Sequence, residues 1–484
     1  MRTSSLTFVS LLLAAALLSA GCAKEASDGA LSVEGDSGFE TNANLDETIG
    51  EPIAPDTGLT GGDAPTSDEV VQAALTDVDA YWARTFEDVY GEPYEPISGG
   101  FWPYGPDSEQ PPCGEPAPVY NDIAENAFFC PTADLIAWDN VNLVPSLYDE
   151  FGGFTLGIVF AHEFGHAVQD RASVLGDTIM TELQADCFAG AWAADVEAGN
   201  SKYFELSLTD LDRAVAGFLE LRDGVGTDSL DPAAHGTGFD RIGSFSEGYE
   251  QGAALCAQYP ERYDRGELFI TEVPFTDQQD FDNEGNLPLD EAVPLAIEDL
   301  EDFWATVFTE FGETWTPVTA VTQINPSTDT VECGGEAYSG AILDNVSFYC
   351  IDSDTVFIDG ANLIPSLYDI GDYAVATELA RQYAYAAQVR LGNTENSLVS
   401  NLQADCYAGV FASSGFLGNR GENQKLFLSP GDLDEAVIAF LQTSDAGDAV
   451  ESGEGNVGTA FQRFDAYREG FMQGTTACDA FLEG

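Results

Sequence analysis

Apolar residues recur at helical spacing in several segments of the chain. The stretch Val70–Val89 has this periodicity, and the apolar-rich segments Phe154–Ala172 and Thr178–Glu197 predict two further helices. Ser207 precedes another apolar stripe and predicts a helix start. A short apolar run at Leu135–Trp138 fits a strand instead. The pattern therefore predicts a mainly α structure with short β segments, in the α+β class.

Other regions lack the apolar pattern of a packed helix or strand. Residues 23–66 are rich in Gly, Ser, Thr, Asp and Pro and have few large apolar residues, which is typical of a flexible acidic tether. Residues 276–289 are again acidic and rich in Asp, Asn, Gly and Pro, and we predict that they link two domains. Residues 93–130 are predicted to be rich in loops.

The first 22 residues are predicted to be a targeting segment. Arg2 gives a short positive region, and the apolar run Leu6–Leu18 is too short to span a membrane as a mature helix. The sequence from Ser19 to Cys22 resembles the processing box of bacterial lipoproteins, with Ser19 where leucine is usual. Cys22 would then carry lipid and anchor the protein in the cell envelope, facing outside the cytoplasm. The alternative is a secreted protein with a plain signal cleaved near Ala20.

The second half of the chain repeats the first. Asn362–Asp369 matches Asn142–Asp149 with a single Val-to-Ile change, and Leu402–Cys406 is identical to Leu183–Cys187. Further matches follow in the same order: Tyr81-Trp82 with Phe303-Trp304, Cys113 and Cys130 with Cys333 and Cys350, Asp210–Asp212 with Asp432–Asp434, and Cys256 with Cys478. This order predicts a tandem duplication of two globular domains, at residues 67–275 and 290–484.

The strongest chemical signal is the sequence HEFGH at His162–His166. On a helix, this spacing places both imidazoles on one face, with Glu163 beside them. Glu182 lies on the next predicted helix, and two imidazoles with one carboxylate form a zinc site that keeps one position open. We therefore predict that His162, His166 and Glu182 bind one Zn²⁺, and that Glu163 is the general base that deprotonates the attacking water.

Two more residues have predicted roles near this site. Asp186 is expected to accept a hydrogen bond from a ligand histidine and so orient it. The alternative reverses the assignment, with Asp186 on the metal and Glu182 behind it. His235 is a candidate oxyanion donor, and its alternative is a loop residue that bonds to the backbone. Arg241 is retained in the second copy whereas His235 is not, which favours a structural role for Arg241.

The second copy lacks the proposed ligands and base. The alignment that places Asp405 on Asp186 gives these replacements: Arg381 at His162, Gln382 at Glu163, Tyr385 at His166 and Asn401 at Glu182. A guanidinium group cannot ligate a metal, so we expect zinc in the first domain only. Asp405 is retained, and we predict that it forms an ion pair with Arg381.

The strongly negative net charge limits the classes of partner that the chain can bind. The chain has 84 Asp and Glu residues against 16 Lys and Arg residues, and its formal net charge is -68. Such a chain repels nucleic acid and anionic lipid headgroups, which excludes both as partners. The acidic residues are interpreted as a solvated surface suited to a saline or extracellular setting, with a preference for basic peptides as the alternative.

Two blocks of sequence carry a resemblance to a known family. Residues 162–169, HEFGHAVQ, and residues 182–190, ELQADCFAG, resemble the bacterial putative neutral zinc metallopeptidase family. Phe128–Asp134 and His235-Gly236 resemble further blocks of it. The likeness covers most of residues 68–260 and, in degraded form, residues 290–484. It implies a mostly helical zincin-like domain with a His, His, Glu zinc site, and it supplies no substrate.

The cysteines indicate an oxidising compartment. The chain has nine cysteines, and setting Cys22 aside leaves an even number in an exported protein, which favours disulfides. Each copy allows three pairings. We prefer Cys113 with Cys130 and Cys187 with Cys256. The candidates in the second copy are Cys333, Cys350, Cys406 and Cys478.

The sequence thus predicts an exported, lipid-anchored zinc endopeptidase that acts on peptide or protein substrates. The alternative is a binding or scaffold lipoprotein whose first domain holds zinc without turnover. The second domain could recruit substrate, inhibit the first domain or act as a spacer. The sequence does not indicate the oligomeric state.

Overall fold

The computed structural model describes residues 65–228, 234–444 and 456–479. The predicted signal segment, Cys22 and nearly all of the predicted tether lie outside the described residues. Within the described ranges, no helix combines the length and the apolar character needed to cross a membrane.

The first half consists mainly of helices packed against one three-stranded sheet. The helices are α1 (Ser67–Tyr90), α2 (Tyr120–Ile123), α3 (Leu143–Phe151), α4 (Gly153–Arg171), α5 (Thr178–Glu197), α6 (Leu208–Glu220), α7 (Gly238–Gln251), α8 (Ala253–Cys256) and α9 (Tyr259–Asp264). The strands are β1 (Gly100–Tyr104), β2 (Ala127–Cys130) and β3 (Leu135–Asp139).

The second half follows with a similar order of elements. Its helices are α10 (Gln278–Asp282), α11 (Leu289–Glu310), α12 (Leu363–Tyr368), α13 (Asp372–Arg390), α14 (Leu398–Leu417), α15 (Asp432–Thr443), α16 (Ala460–Gln473) and α17 (Thr475–Cys478). Its strands are β4 (Ala320–Ile324), β5 (Thr330–Cys333), β6 (Glu336–Ser339), β7 (Ser347–Cys350) and β8 (Thr355–Asp359).

The two halves have the same sheet arrangement. The first sheet has the order β1-β3-β2, with β1 parallel and β2 antiparallel to β3. The second has the order β4-β8-β7 with the same directions. A separate hairpin of β5 and β6 is additional in the second half. The mainly α, α+β class is confirmed, and the repeat has a structural counterpart. Its origin by tandem duplication stays a prediction.

Local sequence determines where several helices begin. Thr66 accepts a hydrogen bond from the Glu69 backbone and Glu69 returns one, so α1 starts with a capping box. Ser207 caps α6 in the same way with Asp210, which confirms the predicted helix start. Helix α5 has the predicted bounds, and α4 begins and ends one residue earlier than predicted.

One region differs from its prediction, and the predicted linker contains a short helix. Residues 93–130, predicted as mainly loops, contain β1 and β2. Both strands are short, and each is stabilised by pairing with β3, which follows them in the chain. Residues 276–289, predicted as a linker, include α10 and pack on the second half. There the Asp372 N–H donates to Asn286 Oδ1 at 2.8 Å, and the Leu287 N–H donates to Asp372 Oδ2 at 3.2 Å.

The halves are joined by reciprocal contacts at helix starts. Asp434 of α15 accepts a hydrogen bond from the Phe239 N–H at the start of α7, at 2.8 Å. Asp212 of α6 accepts one from the Phe461 N–H at the start of α16, at 2.9 Å. Phe239 also packs against Phe464, with ring centroids 5.6 Å apart. One hydrophobic core therefore runs through both halves. The domain boundaries at residues 275 and 290 stay predictions.

Four disulfides fasten these elements. The structure joins Cys113 with Cys130 and Cys187 with Cys256, which are the preferred pairs. The second half has the matching pairs Cys333 with Cys350 and Cys406 with Cys478. The Cys187–Cys256 bond ties α5 to α8 and so holds the helix that carries Glu182 and Asp186.

Candidate active site

Two neighbouring helices carry the predicted metal and base residues. His162, Glu163 and His166 lie on α4, and Glu182 and Asp186 lie on α5. The four-residue spacings place each set on one face of its helix. The structure brings all five side chains to the same region between the two helices.

Close packing of α4 and α5 makes this convergence possible. A Cβ atom on Gly165 would lie 2.8 Å from Ala185 Cα, so only glycine allows this approach of the two helices. Glycines also let α5 approach α7, since a Cβ on Gly190 would lie 1.9 Å from the Phe245 carbonyl oxygen. The main chains of α4, α5 and α7 are thus fixed relative to one another.

The three predicted ligand atoms meet at one point. His162 Nε2 lies 3.1 Å from His166 Nε2. Glu182 Oε2 lies 3.2 Å from His162 Nε2, and Glu182 Oε1 lies 3.4 Å from His166 Nε2. All three side chains are largely buried and line a cavity of about 670 Å³.

The other ring nitrogens are held by acceptors. His162 Nδ1 lies 2.7 Å from Asp186 Oδ1, and His166 Nδ1 lies 2.9 Å from Gln169 Oε1. The Gln169 amide is oriented because its Nε2 donates to the Thr181 carbonyl oxygen at 2.6 Å. Both imidazoles are therefore assigned a proton on Nδ1, which leaves the Nε2 lone pairs directed at the shared point. No role was predicted for Gln169 from the sequence. Its position three residues after His166 on the same helix is the feature that could have indicated one.

This donor set fits a zinc ion. Two Nε2 lone pairs and a carboxylate repel one another at these distances unless a cation lies between them. Glu182 Oε2 is buried without a hydrogen-bond donor, as expected of an atom directed at a metal. Nitrogen and oxygen ligands from His, His and Glu are a set that zinc accepts.

The charges around the site favour bound cations, either protons or a metal ion. Burial opposes protonation of His162, but Asp186 and Glu182 raise its pKa to about 10. The pKa of Glu182 lies well below its usual range, since the two histidines outweigh the opposing effect of burial. A metal ion would take the place of protons on the histidines.

Glu163 lies beside this cluster and contacts the sheet. Its side chain is buried, with 6% of its surface exposed, and its Oε2 accepts a hydrogen bond from the Phe129 N–H at 2.8 Å. Burial raises the pKa of this carboxyl group. The contact also fixes the position of β2, one of the two edge strands of the sheet, along the cavity.

Asp186 connects the cluster to a buried arginine. Arg241 donates to it twice, from Nε to Oδ2 at 2.9 Å and from Nη2 to Oδ1 at 3.0 Å. Arg241 Nη1 donates to the Leu221 carbonyl oxygen at 2.7 Å. Asp186 therefore lies between His162 and Arg241, an arrangement that fits the predicted orienting role of Asp186 and a structural role for Arg241.

His235 lines the same cavity as the cluster. Its imidazole is half-exposed, and its Nδ1 lies 3.5 Å from Asp223 Oδ1. Its backbone N–H also donates to Asp223 Oδ2, at 2.8 Å. The position is compatible with both earlier interpretations, and the role of oxyanion donor stays a prediction.

The second half contains a different network at the corresponding position. Arg381 Nε lies 2.6 Å from Asp405 Oδ1, which confirms the predicted ion pair. Arg463 also pairs with Asp405, as Arg241 does with Asp186, from Nε to Oδ2 at 3.0 Å. Arg381 Nη2 donates to the Tyr385 hydroxyl oxygen at 2.9 Å, and Tyr385 in turn contacts Asn401. The guanidinium group thus makes the contact to Asp405 that His162 makes to Asp186.

The first half is similar to a known protein family. Residues 54–259 match the family described as putative neutral zinc metallopeptidase. This metallopeptidase match includes α4 and α5 and extends through α8 to Tyr259.

The curated relatives are themselves uncharacterized. One is the protein Rv2575 of Mycobacterium tuberculosis, 32% identical over 152 residues, covering 26% of this chain and 52% of the relative. Another is YpfJ of Escherichia coli K12, 29% identical over 154 residues, covering 26% of this chain and 50% of the relative. The chain spans about half the length of these relatives. No solved structure matches the chain.

Proposed function

We propose that this protein is a zinc-dependent peptidase whose site lies between α4 and α5. The observation that carries the proposal is the convergence of His162, His166 and Glu182 with Glu163 adjacent. The first three would hold the metal, and Asp186 would orient His162. A zinc ion bound there would polarise the peptide carbonyl and make the attacking water more acidic.

Glu163 lies beside the proposed metal ligands, and its raised pKa suits a general base. Its carboxylate would accept a proton from the attacking water and then deliver that proton to the leaving amine nitrogen. Burial raises the pKa of Glu163, which strengthens it as a proton acceptor. The Phe129 N–H holds one oxygen and so fixes the direction of the carboxylate.

A peptide is the substrate that the cavity favours. Strand β2 is an edge strand of its sheet, and Phe128 and Phe129 line the cavity beside Glu163. An extended peptide could pair with the outer edge of β2 through backbone groups other than the Phe129 N–H, which donates to Glu163. Endopeptidase activity is part of this proposal, and it requires that a chain aligned with β2 continue past Glu163 in both directions.

Removal of zinc tests this proposal. We expect the purified chain without its signal segment to contain one zinc ion, to lose casein hydrolysis on chelation and to recover it when zinc is returned. The variant His162→Arg, which copies Arg381 of the second half, should lose both zinc and activity because guanidinium does not bind metal. Metal content by mass spectrometry and hydrolysis rates decide the outcome.

Three results would count against the proposal in different ways. Absence of zinc from the wild type would contradict the metal site. Bound zinc without hydrolysis of proteins or peptides would favour the binding or scaffold lipoprotein. Two zinc ions per chain would contradict the restriction of zinc to the first half.

We also propose that the protein is exported and anchored by lipid on Cys22. The signal-like sequence before Cys22 supports this, as do four disulfides, which persist in oxidising compartments. The variant Cys22→Ala should move the protein from the membrane fraction to the soluble extracytoplasmic fraction. Immunoblots of the fractions would show this, and a wild type that is already soluble would favour the secreted alternative.

A further inference from the structure

A second group of convergent carboxylates lies far from the candidate active site in sequence. It consists of Asp372, the first residue of α13, and of Asp432 and Glu435 on α15. One oxygen from each lies within 4.8 Å of the others. Only 5%, 3% and 7% of their respective surfaces are exposed. Three carboxylates are thus buried at one point of the second half.

Backbone groups hold these carboxylates in place. Asp372 Oδ2 accepts from the Leu287 N–H at 3.2 Å, and Asp432 Oδ2 accepts from the Ser429 N–H at 2.7 Å. Glu435 Oε2 accepts from the Tyr373 N–H at 2.8 Å. The remaining oxygens of the two aspartates, Oδ1 in each case, are buried without any hydrogen-bond partner. Two oriented carboxylates therefore each keep one buried oxygen available to a ligand.

No cationic side chain among the described residues forms an ion pair with this group. Asp280 on α10 instead adds a further negative charge near Asp372 and Asp432. Burial raises the pKa of Asp372 to about 6, with a smaller contribution from Asp280, and burial together with repulsion from Asp372 raises that of Glu435 to about 8. Buried carboxylates of this kind require either protons or a bound cation.

The first half has a positively charged side chain at the position that corresponds to this group. Ser207, Asp210 and Arg213 correspond to Ser429, Asp432 and Glu435. Their local geometry also matches, since the Ser207 N–H donates to Asp210 Oδ2 as Ser429 does to Asp432. Arg213 Nη1 lies 3.7 Å from Asp210 Oδ1. The first half therefore supplies a positive charge where the second half supplies a carboxylate.

Matching glycines show that Arg213 and Glu435 project to the same place. A Cβ on Gly152 would lie 3.4 Å from Arg213 Nη1, and a Cβ on the corresponding Gly371 would lie 1.9 Å from Glu435 Cδ. The residue after each glycine also differs, because Gly153 in the first half corresponds to Asp372. Two substitutions thus turn a carboxylate–guanidinium pair into a group of three carboxylates.

We propose that Asp372, Asp432 and Glu435 bind a calcium ion that stabilises the second half. Carboxylate oxygens are hard ligands, and Ca²⁺ accepts them at about 2.3–2.6 Å in flexible geometry. Oxygens up to 4.8 Å apart can therefore contact one ion from opposite sides. Zn²⁺ would favour nitrogen or sulfur ligands. Mg²⁺ demands near-ideal octahedral geometry at about 2.0–2.1 Å, which is too short for oxygens up to 4.8 Å apart. The ion would fasten the start of α13 to α15.

Thermal unfolding with calcium alone as the probe tests the site. The protein is stripped of calcium, resupplied with zinc in every sample, and measured with and without about 1 mM Ca²⁺. We expect a rise of about 5 °C or more in Tm for the wild type. Calorimetric titration should give one calcium ion per chain. An equal rise with Mg²⁺ at the same concentration would overturn the assignment to calcium.

Variants separate binding at this group from binding elsewhere on an acidic surface. The double variant Asp432→Asn with Glu435→Gln keeps side-chain size and removes charge, so we expect it to fold and to lose the calcium response. Glu435→Arg, which copies Arg213, should also lose the response. The matched control Asp210→Asn should keep it. A wild type whose Tm and titration show no calcium binding, or a response that persists in the double variant, would overturn the proposal.

Discussion

The variant Glu163→Gln should lose about 10²- to 10⁴-fold in kcat, which is the usual contribution of a general acid–base group. Glutamine cannot accept the proton of the attacking water at neutral pH. The ligand set of His162, His166 and Glu182 is unchanged, so zinc content should remain at the wild-type value. Activity and metal binding are thereby separated in one protein.

The structure indicates that this variant will fold. Gln382 occupies the corresponding position in the second half, on α13, and is buried there. The Phe129 N–H also keeps an acceptor, because the glutamine carbonyl oxygen can replace the carboxylate oxygen that lies 2.8 Å from it. We therefore expect an unchanged Tm.

Steady-state hydrolysis of a peptide, with metal analysis of the same sample, checks this result. Gln382→Glu is the matched control, since it introduces a carboxylate where no metal ligands are present and should create no activity. Full activity of Glu163→Gln would remove Glu163 from the mechanism, even if zinc were bound.

The parts of this fold that depend on local sequence could be predicted. Helix α5 has the predicted bounds, and Ser207 caps the start of α6, because periodicity and capping act within a few residues. The convergence of His162 and His166 follows from helical geometry alone. The ion pair of Arg381 with Asp405 could be predicted because the second half retains the position of Asp186.

The parts that depend on contacts between distant segments could not be predicted. Strands β1 and β2 are stabilised by β3, so their own sequence carries little signal. The hydrogen bond from the Phe461 N–H to Asp212 connects residues 249 positions apart. The group of Asp372, Asp432 and Glu435 could not be recognised in the sequence for a second reason. In a chain with 84 acidic residues, three of them do not stand out.

A comparison of the two halves distinguishes residues that support the fold from residues specific to the candidate active site. Each half has a buried aspartate that forms an ion pair with an arginine. Asp186 of α5 pairs with Arg241, and Asp405 of α14 pairs with Arg463. Only the first half combines the aspartate with a histidine. The aspartate–arginine pair is therefore common to both halves, which favours a structural role for it, and the contact to His162 is found only at the candidate active site.

The variant Asp186→Asn should accordingly have two effects. It leaves the buried Arg241 without its counter-ion, and breaking a buried pair in this way costs about 3–5 kcal/mol of the free energy of unfolding. It also removes the carboxylate that lies 2.7 Å from His162 Nδ1. Loss of such a partner to a ligand histidine lowers metal affinity by about 10- to 100-fold.

Asp405→Asn in the second half is the control that separates these effects. It leaves Arg381 and Arg463 without their shared counter-ion, so we expect a comparable loss of stability in urea unfolding. Zinc affinity, measured by competition with a chelator, should stay at the wild-type value, because no metal ligand contacts Asp405. If both variants lose stability and neither loses zinc affinity, Asp186 supports the fold alone. If Asp186→Asn alone loses affinity, the carboxylate positions His162 for the metal.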